Sequence, residues 1–487
     1  MEEPKPRLTR KNLKRVLRYL KPYLPLEFGL AVIMSVMITL GLVEPLVLKV
    51  LIDDVLVDRN AQLLTVIVAG LVALFILRGG LNIIVNYLYS FVGQRILFDI
   101  RYGLFRHLER LHVGFFTHTK TGEIMSRVNN DVERLQSIVT STFVSLITDL
   151  LTLVAILVLM LYLDWQLALL ALIPFPFIFV SQVYFGKKIK KQSKRTREQS
   201  ADILSFFQEV ISGIRLVQSF VTESFEARRL LNKSRGLIRL RIRLGVLGAL
   251  TGSVAGFLAG LGPILVLLYG GRAVIRGDLT LGGLVAFYAF VIRLFGPVSR
   301  LAQHNVTIQT AMASIERIFE YLDVEPKIKT RPHSIGLEKL RGSIEFKNVH
   351  FAYDGDEPVL QDLSLRVHPG QRVALVGRSG AGKSTIINLL FRFYDPQAGA
   401  ILIDNHDIRD IRLRNLRKHL GLVSQDTILF NATVSENIRY GRVKATDDEI
   451  TRAAVRAHIH EFIEALPDKY ETMIGAVSYT HLTLPTN

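Results

Sequence analysis

Six long apolar runs decide most of what this chain can become. They fall at about residues 26–50, 63–91, 137–163, 165–186, 244–271 and 279–300. Each meets the roughly 20 residues a helix needs to cross a bilayer. Lipid offers no partner to a backbone N–H or C=O, so such runs must be helices that satisfy their own backbone. The second run is interrupted by Arg78 and Gly79-Gly80, which blurs its edges. With 49% hydrophobic and 21% charged residues, the chain reads as a membrane part joined to a soluble part. The first run starts near Leu26, is too long for a signal core and lacks a small-residue cleavage site, so it is expected to stay in the mature protein.

Basic residues set the orientation. Residues 1–25 hold eight Lys or Arg against two Glu, and 187–243 hold fifteen against five Asp or Glu. The turn after the first run is short and acidic (Asp53, Asp54, Asp58), and that between the third and fourth is little more than Asp164-Trp165. The N-terminus, the 92–136 and 187–243 loops and the C-terminal half are therefore expected in the cytoplasm. The net charge of +17 is mostly this positive-inside signal. No basic platform interleaved with aromatics appears, which argues against nucleic acid as a partner. The absence of cysteine excludes a disulfide framework and a thiolate metal site.

Both cytoplasmic loops are charged, helix-permissive and nearly without proline, so they should prolong the membrane helices beyond the lipid. Each holds a punctuated patch, FFTHTKTGEIMSRVNND at Phe115–Asp131 and FQEVISGIRLVQSFVTE at Phe207–Glu223. Locally these are turns between antiparallel helices, and as functional elements they are expected to dock on the soluble domain. Ionisable residues within spans are candidates for a cavity. The candidates are Glu44, Arg78, Asp149 and Arg293, several of which could instead snorkel from helix ends; Asp149 and Arg293 lead. The small residues of the fifth run (Gly252, Ser253, Gly256, Gly260, Gly262) read as helix-packing contacts.

After Arg300 the apolar runs stop. An exit helix and a linker with Pro326 and Pro332 lead into short strands expected at Ile344–Val349, Leu363–Val367, Val373–Val376, Ile401–Ile403 and Leu420–Val423, an α/β domain with an antiparallel component. The third of these opens VALVGRSGAGKST, Val373–Thr385. The spacing of Gly377, Gly382, Lys383 and Ser384 fits a phosphate-binding loop. Glycines let successive N–H groups turn toward phosphate oxygens, and the following helix N-terminus favours anions. Arg378, Ser379, Gly380 and Ala381 complete the loop. Lys383 can reach the β- and γ-phosphates, while the Ser384 hydroxyl, beside Thr385, can ligate Mg²⁺. Tyr353 could stack on an adenine, and Gln425 could supply an oxygen to Mg²⁺; either signal alone is weak. Ala400–Asp404 (AILID) imitates the acidic strand end of nucleotide hydrolases. It follows the loop lysine by only about twenty residues and is followed by Asn405, so it is read as a strand ending in a turn.

Six spans with two long extensions, followed by GSIEFKNVHFAYDG, VALVGRSGAGKST and LVSQDTILFNATVSENIRYG, resemble the ATP-binding cassette exporters, above all bacterial half-transporters of the multidrug and lipid type. The resemblance runs from about residue 10 to Gly475. It implies a six-helix membrane domain (26–315) after an N-terminal segment (1–25), a linker (316–341) and the first part of a nucleotide domain (342–476). It implies that Tyr353 stacks on adenine, that Gly377–Thr385 bind phosphate, and that Gln425 contacts Mg²⁺. Thr121, Gly122, Glu123, Ser126, Arg127 and Asp131, with Glu209 and Gly213, fall in patches resembling coupling helices. Two such chains would sandwich two ATP molecules in the cytoplasmic membrane and export an apolar or amphipathic cargo.

Members of that family continue into a Leu-Ser-Gly-Gly-Gln signature, an Asp-Glu strand end and a switch histidine, none of which occurs here. The tail 477–487 fits no element and is expected to be foreign, with the chain a truncated copy that hydrolyses little ATP by itself. His481 is not taken as the switch histidine. A non-catalytic ATP-binding partner, sensor or channel is the alternative, and an importer fits less well because its domains usually sit on separate chains.

Overall fold

The computed structural model describes Arg15, Arg18, Tyr19 and residues 21–353, 357–425 and 428–475. Most of the N-terminal segment and the expected foreign tail, 477–487, lie outside the described residues. The chain divides into two compact units, Met1–Leu111 with Phe115–Pro326, and His112–Gly114 with Lys327–Asn487.

The first unit is helical, and among the described residues six helices are long and apolar enough to cross a membrane. We label α1 Leu24–Val50, α2 Ala61–Leu108, α3 Phe143–Leu163, α4 Trp165–Leu172, α5 Pro174–Ser212, α6 Glu223–Arg276 and α7 Leu281–Leu322. The fourth span combines α4 with the start of α5, which begins at Pro174, where a missing N–H costs nothing. Gly79-Gly80 does not break the second run, because α2 continues through it for 48 residues. In lipid an open backbone group costs several kcal/mol, about, which outweighs the roughly 1 kcal/mol glycine penalty. Asp164 ends α3 and caps α4, accepting from the Gln166 and Leu167 N–H groups at 2.8 and 3.0 Å. Apolar layers between α3, α4, α6 and α7 meet at Met160, Leu167, Val266 and Phe290, all fully buried. The extensions of α2 and α7 share a second core around Val92, Ile96, Leu104 and Ile318.

The second unit carries a four-stranded antiparallel sheet in the order β2-β1-β3-β4, from β1 Ile344–Phe351, β2 Leu360–Val367, β3 Ala398–Ile403 and β4 His406–Asp407. Helix α8, Lys383–Leu390, follows the phosphate loop, and its fully buried Leu389 packs in the same core as Phe346, Val349 and Ile401. Val373–Val376 and Leu420–Val423, expected as strands, have no ladder partner among the described residues. Val376 and Val423 are 89% and 98% exposed. β-branched residues favour extended backbone, but a strand exists only where a neighbour completes its hydrogen bonds.

Candidate functional site

The phosphate loop owes its shape to glycine. Gly380 and Gly382 take φ of 85° and 86°, a left-handed backbone that L side chains resist. At Gly382 a β-carbon would also stand 2.7 Å from Leu360 Cδ2 and 3.4 Å from the Val359 carbonyl. Lys383 is the first residue of α8, and its ammonium folds back over the loop, donating to the Gly377 carbonyl at 2.9 Å and the Arg378 carbonyl at 2.7 Å. Arg378, Ser379, Ala381 and Ser384 are exposed, whereas Thr385 is buried. The arrangement places the Lys383 ammonium, a glycine turn and the N–H groups of a helix start together, which suits a polyphosphate.

Tyr353 lies beside this loop. Its hydroxyl donates to Thr385 Oγ1 at 3.1 Å and accepts from Asn388 Nδ2 at 3.1 Å. Its ring meets Phe351 and Tyr394 edge-on, with centroids 4.9 and 5.0 Å away. The structure thus joins Tyr353 to the helix that the loop opens. Gln425 is exposed, and among the described residues no hydrogen bond ties it to the loop. Ser384 and Gln425 offer oxygen donors, the set a hard cation such as Mg²⁺ takes.

Asp404 is a turn residue. Asp404 and Asn405 have φ of 50° and 67° between β3 and β4, the pattern of a two-residue hairpin. Its carboxylate accepts from the N–H groups of Arg341 at 2.6 Å and Ser343 at 2.9 Å. Burial pushes its pKa up, and the backbone donors of Ser343, Arg341 and Gly342 outweigh that and hold it below the usual carboxylate value.

In the membrane unit a cavity of about 380 Å³ is walled by Met34, Met37, Ile38 and Ile156 and carries Arg78, Arg293 and Arg300. Arg293 donates to the Gly41 carbonyl and pairs with Glu44 at 2.5 Å, while Arg78 lies 3.6 Å from the same carboxylate. Asp149 is 3% exposed and accepts from Arg300 Nε and Nη2 at 2.8 and 2.6 Å; His304 Nε2 is 3.1 Å from its other oxygen. Arg293 therefore lines the cavity, and Asp149 meets it through Arg300. Arg300 and His304 were missed because the sixth run was read as ending at Arg300. The signal was their i, i+4 spacing, with Arg293 seven residues earlier on the same helix face.

The expected coupling residues divide into two groups. Thr121, Gly122, Glu123, Ser126 and Glu209 are exposed, and Gly213 ends α5. Arg127 and Asp131 turn toward α7. Arg127 pairs with Glu123 at 2.6 Å and Glu320 at 2.9 Å and lies over the Tyr321 ring at 3.9 Å. Asp131 accepts from Ser314 Oγ at 2.8 Å and from Arg317 Nε and Nη2 at 2.8 and 2.5 Å. The stretch Arg127–Asp131 is a π-helical turn, a local widening of the helix often tied to function.

Comparison with known proteins bears on both units. A family model described as the ABC transporter transmembrane region matches residues 28–298, and one described as ABC transporter matches 360–479. The ATP-dependent lipid A-core flippase of Syntrophus aciditrophicus is 39% identical over 464 residues, covering 95% of this chain and 77% of its own length. The putative multidrug export ATP-binding/permease protein YgaD of Bacillus subtilis is 36% identical over 470 residues, 95% of this chain and 81% of that protein. A putative multidrug export ATP-binding/permease protein of Staphylococcus aureus is 34% identical over 471 residues, with 95% and 82% covered.

Proposed function

The chain belongs to the ATP-binding cassette transporters, as an exporter-type half-transporter, and from that premise we propose that it moves an amphipathic, lipid-like or drug-like molecule across the cytoplasmic membrane at the expense of ATP. The carrying observation is the phosphate loop, with its left-handed glycines and back-folded Lys383, in a chain that also holds six spanning helices. The cavity supports an amphipathic cargo, since apolar walls suit a hydrocarbon body and Arg78, Arg293 and Arg300 suit a polar or acidic end. Two copies working together, with the soluble unit in the cytoplasm, agree with the half-transporter relatives and with the distribution of basic residues.

In this reading Lys383 exchanges its bonds to Gly377 and Arg378 for phosphate oxygens and holds their charge in place. The N–H groups at the start of α8 point at the same anion. Tyr353 is placed to offer its ring to the base, and Ser384 and Gln425 are the side chains that would hold Mg²⁺. Bound there, the cation neutralises charge on the phosphates. Conformational work follows only if nucleotide binds one arrangement of the protein better than another.

The test is reconstitution of the full gene product, since this chain by itself is expected to hydrolyse little ATP, in lipid vesicles with a fluorescent lipid and, separately, an amphipathic dye. ATP-dependent accumulation that disappears in Lys383→Met, together with at least about tenfold weaker nucleotide binding in that variant, supports the proposal. Transport that survives Lys383→Met would sink it.

A further inference from the structure

Along α5 the fourth apolar run ends at Gly186, just past Phe185, and basic residues begin at the next position. Lys187, Lys190, Lys191 and Lys194 recur at i, i+3, i+4 and i+7, so they share one helix face, and all are exposed. The opposite face turns inward, where Gln192 Nε2 donates to the Leu240 carbonyl of α6 at 3.1 Å. That bond sets the two helices in register. It brings Arg239 and Arg243 of α6, both exposed and one turn apart, to the level of the α5 lysines.

The depth follows from helix geometry. At about 1.5 Å per residue, Lys187 to Lys191 stand about 3–9 Å past Phe185, and Arg239 and Arg243 about 1.5–8 Å from Leu244, where the fifth run starts. The polar layer of a bilayer leaflet is about 5–7 Å thick. Both stripes therefore occupy or border the headgroup layer.

Neither 187–197 nor 233–243 contains a carboxylate. Among the described residues Lys187, Lys190, Lys191, Arg239 and Arg243 make no ion pair; the pairs nearby, Lys194 with Glu198 and Lys233 with Asp202, lie farther from the lipid. Some cations of the same unit are neutralised internally instead: Arg15 reaches Asp323, Arg101 reaches Glu133, and Arg317 reaches Asp131.

We infer that these stripes form a collar that binds the anionic headgroups of phospholipids in the adjoining leaflet. Like charge disfavours a second copy presenting the same stripe, and lipid phosphate is the counter-charge at that depth. The collar rests on the six helices being spans and does not depend on what the protein exports.

The chain has no cysteine, so Gly186→Cys can carry a bimane label. Gly186 is exposed, and a β-carbon there meets nothing within 4 Å. The labelled full chain is placed in nanodiscs, without nucleotide, containing brominated phosphatidylglycerol or brominated phosphatidylcholine. The expected result is about fivefold preferential quenching by the glycerol lipid, weakening in high salt. It should fall to parity when Lys187, Lys190 and Lys191 become Gln, and should weaken in Arg239→Gln/Arg243→Gln. Equal quenching in the unsubstituted chain, a preference that survives both sets of substitutions, or a label shielded from either lipid by a second copy would overturn the inference. None of these readouts uses ATP, so failure of the export proposal leaves a different signature.

Discussion

Alanine in place of Arg317 should loosen the joint between the first cytoplasmic loop and α7 more than alanine in place of Asp131. The two partners are unequally exposed, 39% for the arginine side chain and 6% for the aspartate. Removing Arg317 strands a carboxylate that sits almost wholly out of water, a change of about 3–5 kcal/mol. Removing Asp131 strands a guanidinium with more than a third of its surface in solvent. Screening discounts that loss to about 2 kcal/mol, near the value of one charge-assisted hydrogen bond. Because both changes break the same bonds, the double variant should fall short of their sum by about 1–3 kcal/mol. Hydrogen exchange of peptides covering 126–135 and 312–322, in detergent micelles, reads these openings directly. At about 1.4 kcal/mol per tenfold, Arg317→Ala should speed exchange about 100-fold or more and Asp131→Ala about 30-fold. Equal effects, or strict additivity in the double variant, would refute the asymmetry and with it the claim that burial of Asp131 sets the strength of the joint.

The remaining expectations are more compact. The same joint should resist acid: burial pushes the Asp131 pKa up, but Arg317 and Ser314 more than reverse this and hold it below the ordinary 3.8. A depressed carboxylate stabilises above its unfolded pKa, so protection of 312–322 should be constant above about pH 4 and fall as pH drops below it. Gly399→Ala should disrupt the β1–β3 pairing, since Gly399 has φ of 82° and a β-carbon there would stand 2.3 Å from the Asn348 carbonyl. We expect at least about 2 kcal/mol lost, read as a lower unfolding temperature of the soluble unit. Glu44→Gln removes the carboxylate that Arg293 and Arg78 share. Affinity for an acidic amphiphile should rise relative to a cationic one, measured by competition against a fluorescent lipid.

The site was legible in the sequence to different depths. The glycine turn of the candidate phosphate loop was readable because glycines, lysine and hydroxyl lie within nine contiguous positions, so local backbone geometry alone brings them together. Asp404 was readable as a turn for the same reason, through the adjacent Asp404-Asn405 pair. The bond from Tyr353 to Thr385 and Asn388 crosses more than thirty residues, and only the packing of β1 against α8 makes it. Arg127 and Asp131 looked like surface residues of a docking turn. Their partners Glu320, Ser314 and Arg317 are nearly two hundred residues away, beyond any spacing rule. The expected strands at Val373–Val376 and Leu420–Val423 show the converse error, in which composition was read as if it supplied a neighbour.

What the amino-acid order determined by itself was therefore whatever depends on one segment and its solvent. It determined that six apolar runs would be helical, because lipid leaves no partner for their backbone, and that a glycine turn would open a helix at Lys383, because its residues are contiguous. The tertiary structure decided which charges meet. An arginine or aspartate on a helix carries no mark of its partner until helix packing places Arg293 against Glu44, Arg300 against Asp149 and Arg317 against Asp131. It also decided which cations meet no carboxylate among the described residues, as at Lys187, Lys190 and Lys191 of α5 and Arg239 and Arg243 of α6. Ion pairing is a matter of a few ångströms in space, and that distance is set by the fold rather than by position along the chain.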